Sequence, residues 1–157
     1  MIKMKKSIQK RTIILKIGGS VVTYKSHNGV SIRTARVREI AGEISTAIKN
    51  RDDTQLILIH GAGAGGHQSA KKYKLVEGVR GDSEKWKGAL LTRIANQELN
   101  MTIAKILTEG GVRVVPVHSG SVIVQNDTKI HTFDRSALDQ ALIHGCVPIL
   151  YGEMVFD

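Results

Sequence analysis

A single cysteine, Cys146, stands in the 157-residue chain, so neither an internal disulfide nor a cysteine-based metal cage can form, and this usage suits a reducing cytoplasm. Prolines number only two and aromatic residues make up 4% of the chain, which excludes proline-rich or collagen-like architectures and leaves few rings for stacking nucleic-acid bases. No apolar run approaches the roughly 20 residues that cross a bilayer. Acidic residues are missing from every position before Glu39. The basic arm, residues 1–11, carries Lys3, Lys5, Lys6, Lys10 and Arg11. Without those five, 18 basic residues face 14 acidic ones, so most of the net charge of +9 sits in the arm and the body is only mildly basic. Charge alone would admit a polyanion, yet no nucleic-acid reading motif accompanies it, which disfavours nucleic acid as a partner. The arm also resembles the start of a signal peptide, but Lys16 cuts the apolar stretch Thr12 to Leu15 and no small-residue cleavage site follows, so secretion is not expected.

Hydrophobic residues at 41% and charged residues at 24% are a globular mixture, and the length suits one domain with a real core. Four short runs rich in β-branched residues, Thr12 to Ile17, Gln55 to Ile59, Val112 to Val117 and Val147 to Tyr151, read as buried strands. Helical spacing lies between them: Val37, Ile40, Ala41, Ile44 and Ile48 form one stripe. A long helix from Ser83 to Thr108 has Leu90, Leu91, Ile94, Met101, Ile103 and Ile106 available for a core, with Gly110 and Gly111 as its stop. A short helix is capped by Asp134 or Ser136 and turns Ala137, Leu138, Ala141 and Leu142 inward. The alternation predicts an α/β fold, a mainly parallel sheet sandwiched between helices, with an inserted β-hairpin over residues 122–133. The sequence ends straight after a strand, and the expectation is one half of a larger architecture.

Two glycine segments carry the chemistry. His60-Gly61-Ala62-Gly63-Ala64-Gly65-Gly66-His67 follows the second strand and leads into a helix-compatible stretch from Gln68 to Tyr73. A strand-loop-helix turn without bulky side chains offers backbone N–H groups and a helix N-terminus to a phosphate; the bland alternative is a tight turn with close helix packing. The segment satisfies G-x-G-x-x-G, but a dinucleotide fold expects the fingerprint after the first strand and an acid at a later strand end. Asp82 and Glu84 stand near the required distance with no strand before them. A Walker motif is absent. The second segment, Lys16-Ile17-Gly18-Gly19-Ser20, closes the first strand and adds a fixed positive charge, with Lys25 and His27 downstream. Glycine loops at the carboxyl ends of neighbouring parallel strands meet in the crevice where α/β sheets bind ligands.

These segments resemble the amino acid kinase superfamily, and within it the isopentenyl phosphate kinases, whose second loop has the form H-G-G-G-x-F-G-H. The likeness continues through Ala70-Lys71-Lys72-Tyr73, Asn100, residues 117–124 and Val147-Pro148-Ile149-Leu150-Tyr151-Gly152-Glu153, which resembles V-P-V-x-x-G-D. It covers residues 12–157 and implies an acceptor-binding N-terminal domain, with the C-terminal ATP-binding domain absent. The resemblance implies ATP-dependent phosphorylation of a small phosphorylated acceptor, first among them isopentenyl phosphate to isopentenyl diphosphate, with ATP and Mg2+ as cofactors. By position Lys16 and His67 are catalytic. Gly18, Gly19, Ser20, Lys25 and Gly63 contact the nucleotide, while Gly61, Ala62, Gly66 and His67 hold the acceptor. No protein metal ligand is expected, His60, His118, His131 and His144 are structural, and a cytoplasmic homodimer without membrane contact is implied. Alternatives are a kinase for another small phosphate or phosphonate, or a noncatalytic phosphate-binding module. Three departures stand out: Ala62 replaces a glycine, Gly65 replaces a phenylalanine, and Thr92 and Asn96 occupy helix positions that are often apolar in the isoprenoid kinases.

Overall fold

The computed structural model describes residues 10–24 and 31–157. In chain order the elements are β1 (Arg11–Ile17), α1 (Gly19–Val22), β2 (Thr23–Tyr24), β3 (Ser31–Ile32), α2 (Thr34–Ile48), β4 (Thr54–His60) and α3 (Gly63–Lys72). A 3-10 turn at Leu75–Glu77 precedes α4 (Ser83–Glu109), β5 (Val114–Pro116), α5 (Ser119–Val122), β6 (Ile123–Asn126), β7 (Lys129–Phe133), α6 (Ser136–Ile143) and β8 (Val147–Tyr151). Strands β1, β4, β8 and β5 lie in that order in one parallel sheet. Parallel neighbours joined through helices give the expected α/β architecture.

The alternation of β4 shows how the layers form. Leu56 and Leu58 turn toward a core shared with Val37, Ile40 and Ile44 of α2 and with Leu99, Ile103 and Leu107 of α4. Ile57, between them, packs on the opposite face with Val117, Leu138 and Leu150. Leu58, Ile103, Leu107 and Ile149 are almost wholly removed from water. Each such side chain contributes about 1.5–3 kcal/mol through burial. At the start of α4, Asp82 accepts a hydrogen bond from the Lys85 N–H at 2.9 Å, and Gly110 closes the other end. The hairpin of β6 and β7 turns on Asp127 and Thr128, both in the left-handed region at φ 53° and 63°, as a two-residue turn between twisted strands requires.

Three local expectations change. β1 is not buried: it pairs with β4 alone among the described residues, and Ile13, Ile14 and Leu15 are 39%, 63% and 38% exposed. Its apolar character therefore marks an open sheet edge rather than a covered central strand. The long helix turns a different face inward between Leu90 and Met101: Leu90, Leu91, Ile94 and Met101 are each about half exposed, whereas Thr92, Asn96 and Asn100 are buried. These polar residues lie four apart and form a single stripe facing α3 and the end of β4. Helix α3 begins at Gly63, five residues before the apparent helix start at Gln68, so most of the glycine loop is already helical.

Candidate phosphate-binding site

The two glycine segments touch through their backbones. A Cβ on Gly19 would come within 2.8 Å of the Gly63 nitrogen and 2.9 Å of the Gly63 Cα, and one on Gly61 within 3.1 Å of the Gly19 nitrogen. Gly19 admits no side chain, and one at Gly61 would have to push the Gly19 backbone aside by a few tenths of an ångström. Parallel pairing sets this up, since Ile17 lies opposite His60 in register and both chains turn away from the sheet at its carboxyl end. The Gly61 N–H donates to the Ile17 carbonyl at 3.3 Å, tying the loops together at their roots. Gly63 sits at φ +67°, a conformation only glycine adopts without strain.

Thr23 locks the contact, a role that nothing local in the sequence signals. Its hydroxyl donates to the Gly19 carbonyl at 2.9 Å and accepts the Ala64 N–H at 3.1 Å, bridging the first loop to the first turn of α3. On the far side Gly66 rests on α4, where a Cβ would approach Asn96 Oδ1 and the Ala62 Cβ to 2.6 Å each.

The structure brings Gly19, Gly61 and Gly63 into contact, and the other described residues singled out in the sequence lie on the elements that carry these loops. Lys16 is exposed at the end of the edge strand, so its charge keeps contact with water and carries no burial cost. His67 is exposed in the second turn of α3, Ser20 is exposed, and Gly18, Gly19, Gly61 and Ala62 are partly buried at the loop surfaces. Gly63 and Gly66 are buried, and their missing side chains serve the close packing of loop on loop and loop on helix. Lys25 lies outside the described residues. Among the described residues no group of three or more His, Cys, Asp or Glu is arranged to hold a metal ion.

Behind the loops runs a polar network. His60 is buried, with Nδ1 2.9 Å from the Gly61 carbonyl and Nε2 3.1 Å from Asn100 Oδ1, and its ring stacks on Tyr151 at 5.5 Å between centroids. Both neighbours present oxygens to the ring, and a neutral imidazole, with one N–H, donates to only one of them. Ser119 donates to the Tyr151 carbonyl at 2.6 Å and accepts its N–H at 3.1 Å. Glu153, whose side chain is fully buried, accepts the Gly120 N–H at 2.9 Å and lies 3.0 Å from His118 Nε2 and 3.8 Å from Arg93 Nε. Arg93 further donates to the Met154 carbonyl at 3.2 Å and stacks over Phe156. Burial pushes the Tyr151 hydroxyl up to about 12, the Glu153 charge adds to this, and Arg93 opposes it.

Burial holds the His60 imidazole below its ordinary value of 6.5, against the opposing pull of its hydrogen bonds to Gly61 and Asn100. In the unfolded chain this ring takes up a proton near pH 6.5, while the folded chain takes it up only at lower pH. The unfolded state therefore binds more protons in that window, and stability is fully present above about pH 6.5 and declines as the pH falls below it. Urea midpoints measured from about pH 8 to about pH 5 should fall accordingly, and His60→Gln should flatten that slope. An unchanged slope in the variant contradicts the assignment.

Residues 11–157 match the family model described as the amino acid kinase family. The chain belongs to the amino acid kinase family. It is 35% identical over 149 residues to isopentenyl phosphate kinase of Methanocaldococcus jannaschii, covering 92% of this chain and 56% of that protein. Against isopentenyl phosphate kinase of Methanothermobacter thermautotrophicus the identity is 30% over 148 residues, covering 92% of this chain and 54% of the other. The chain thus spans just over half the length of these relatives. Among solved structures, an isopentenyl phosphate kinase superposes with a TM-score of 0.81 at 30% identity, covering 92% of this chain and 59% of that one. A substrate complex of an isopentenyl phosphate kinase superposes at 0.73 with 26% identity, covering 92% and 56%. The parallel sheet with its flanking helices is the amino acid kinase fold.

Proposed function

We propose that the chain is the acceptor-binding half of an ATP-dependent kinase for short-chain organic monophosphates, with isopentenyl phosphate as the reference compound. The observation that carries this reading is the backbone contact between the two glycine loops at the carboxyl ends of adjacent parallel strands, with exposed Lys16 at one loop and exposed His67 at the other. Phosphoryl transfer asks little covalent chemistry of the protein; it asks for alignment and for charge stabilisation on the moving oxygens. Lys16 supplies that charge, and the backbone of Gly18, Gly19 and Ser20 receives nucleotide phosphates. Lys25 adds a second cation. Gly61, Ala62 and His67 hold the acceptor phosphate, while Gly63 and Gly66 allow the loops to close on each other and on α4.

ATP supplies the phosphoryl group when bound, with Mg2+ neutralising its phosphates. The acceptor nucleophile is already an anion, so no strong general base is required. In this reading the chain works in the cytoplasm as a homodimer, and a partner half about as long as a typical domain completes the nucleotide site. Amide and imidazole NMR shifts during titration with inorganic phosphate, isopentenyl phosphate and dimethylallyl phosphate test it. Perturbation should centre on residues 18–20, 61–67 and the His67 ring; a spectrum unmoved at millimolar ligand removes the proposal.

A further inference from the structure

At the end of the sheet opposite the glycine loops, a cavity of about 500 Å3 opens beside the amino ends of β4 and β8. That volume lies within the range of small-ligand sites. Leu56, Leu142 and Val147, all buried, and the partly buried Ile48 supply its apolar lining. β4 runs from Thr54, which lines the cavity, to His60 at the root of the second glycine loop. At about 3.3 Å per residue its ends lie roughly 20 Å apart, so a small molecule held on the loops does not reach this cavity.

Four cations line the same cavity: Lys10 before β1, Lys49 and Arg51 between α2 and β4, and Arg113 before β5. Asp52 is the one acid among the lining residues. Among the described residues none of the four cationic side chains forms an ion pair or a side-chain hydrogen bond. Cations near helix C-termini often serve the helix ends, and α2, α4 and α6 all finish here. Those ends are capped by the backbone instead. The Lys49 and Arg51 N–H groups donate to the Ser45 and Ile48 carbonyls, those of Gly111 and Val112 to Thr108 and Leu107, and those of Gly145 and Cys146 to Leu142 and Ala141. Asn50, Gly111 and Gly145 turn the three chain segments at φ 64°, 88° and 65°. The rim is thus fixed without help from the cationic side chains. Arg113 is packed against one wall, since a Cβ on Gly145 would come within 2.9 Å of its guanidinium. Each helix end contributes about half a negative charge, so four cations against three such ends and Asp52 leave the cavity positive.

We propose that this cavity binds a diphosphate group, free or as the ester of a small organic alcohol, at a site separate from the glycine loops. The cations come from segments that enter β1, β4 and β5, and in the order β1, β4, β8, β5 that edge of the sheet is on the order of 14 Å wide. A single phosphate reaches part of such an edge, whereas two linked phosphates present oxygens to cations on more than one side. Arginine suits this use, because its planar fork pairs with two phosphate oxygens at once. The apolar lining offers an organic group a place beside the charges. None of these residues belongs to the glycine loops, so the inference stands or falls independently of the kinase reading.

Amide NMR titration of the 157-residue chain with methyl phosphate, inorganic pyrophosphate and isopentenyl diphosphate, at about 0.15 M salt to screen unspecific attraction, tests it residue by residue. Both diphosphates should shift residues 49–52, 111–113 and 145–147, with binding there at least about tenfold tighter than that of methyl phosphate. Tighter binding of the ester assigns the occupant as an organic diphosphate, and equal binding assigns it as the free anion. Arg51→Gln and Arg113→Gln, both at exposed positions that the fold tolerates, should each weaken diphosphate binding about fivefold or more while shifts in the glycine loops persist. Lys105→Gln, which removes an exposed cation from α4 outside the cavity, should change it less than about twofold. Shifts confined to residues 18–20 and 61–67 overturn the inference and leave the kinase reading standing. An equal loss in all three variants overturns it too, because net charge alone then accounts for the attraction. So does diphosphate binding that neither arginine variant weakens, or methyl phosphate binding at the cavity as tightly as the diphosphates.

Discussion

Lys16→Ala should slow phosphoryl transfer by about 10²- to 10³-fold, the usual consequence of deleting one group that stabilises developing charge in a transition state. His67→Ala should produce a loss of similar size, expressed partly as weaker acceptor binding, because a hydrogen bond to the acceptor phosphate acts before as well as during transfer. On the proposed reading the assay uses the chain joined to an ATP-binding half, and single-turnover kinetics with saturating acceptor separate the two variants. Both side chains are exposed and neither belongs to the cores around Leu58 or Leu150. Circular dichroism and urea midpoints should therefore match the parent within about 0.5 kcal/mol, as for surface substitutions generally. Parental rates in either folded variant would remove that residue from the mechanism.

The second large effect is an absence of turnover. The 157 residues alone should release no ADP above background in a coupled assay with ATP and isopentenyl phosphate. The chain spans only 56% and 54% of the two archaeal relatives, and transfer requires donor and acceptor to be held in line. On the proposed reading the chain carries half of the site, which supplies affinity without alignment, so phosphate esters should still perturb the glycine loops in the same preparation. Sustained turnover that survives removal of contaminating kinases would show that the described loops, with a partner copy or alone, already hold both substrates.

How much of this was legible in the sequence varies with the kind of interaction involved. β8 is found at Val147–Tyr151 as read, because a five-residue apolar run after Gly145 has no alternative register. β4 and the far end of α4 follow the same logic, with Gly110 as a chemical stop. The inward face of α4 was misjudged because Leu90, Leu91 and Ile94 outweigh Thr92 and Asn96 in hydrophobicity. What decides the face is the neighbour: α3 approaches on glycines, and only a slim polar side chain such as Thr92, which lies 2.6 Å from Ser69 Oγ, meets it at that distance. The start of α3 was hidden because glycines carry no helical periodicity. Thr23 could not have been found, since its partners Gly19 and Ala64 come together only once β1 and β4 pair. The meeting of the two glycine loops was legible because both follow neighbouring parallel strands at their carboxyl ends.

The open side of β1 bears on how the chain behaves in the test tube. Among the described residues β1 pairs along one side only, and a strand so placed, with Ile13, Ile14 and Leu15 all partly in water, is a template for adding a further strand. In concentrated solution the nearest strand is another molecule's, so edge-to-edge stacking competes with folding and crystallisation alike. Native sheets suppress this with charge, and here Lys16 is the only charged residue in β1 after Arg11. The lysine read as a catalytic cation thus doubles as a solubility guard: substituting it for assay purposes removes charge from the margin most prone to aggregate, so the Lys16→Ala protein belongs in dilute solution at low ionic strength.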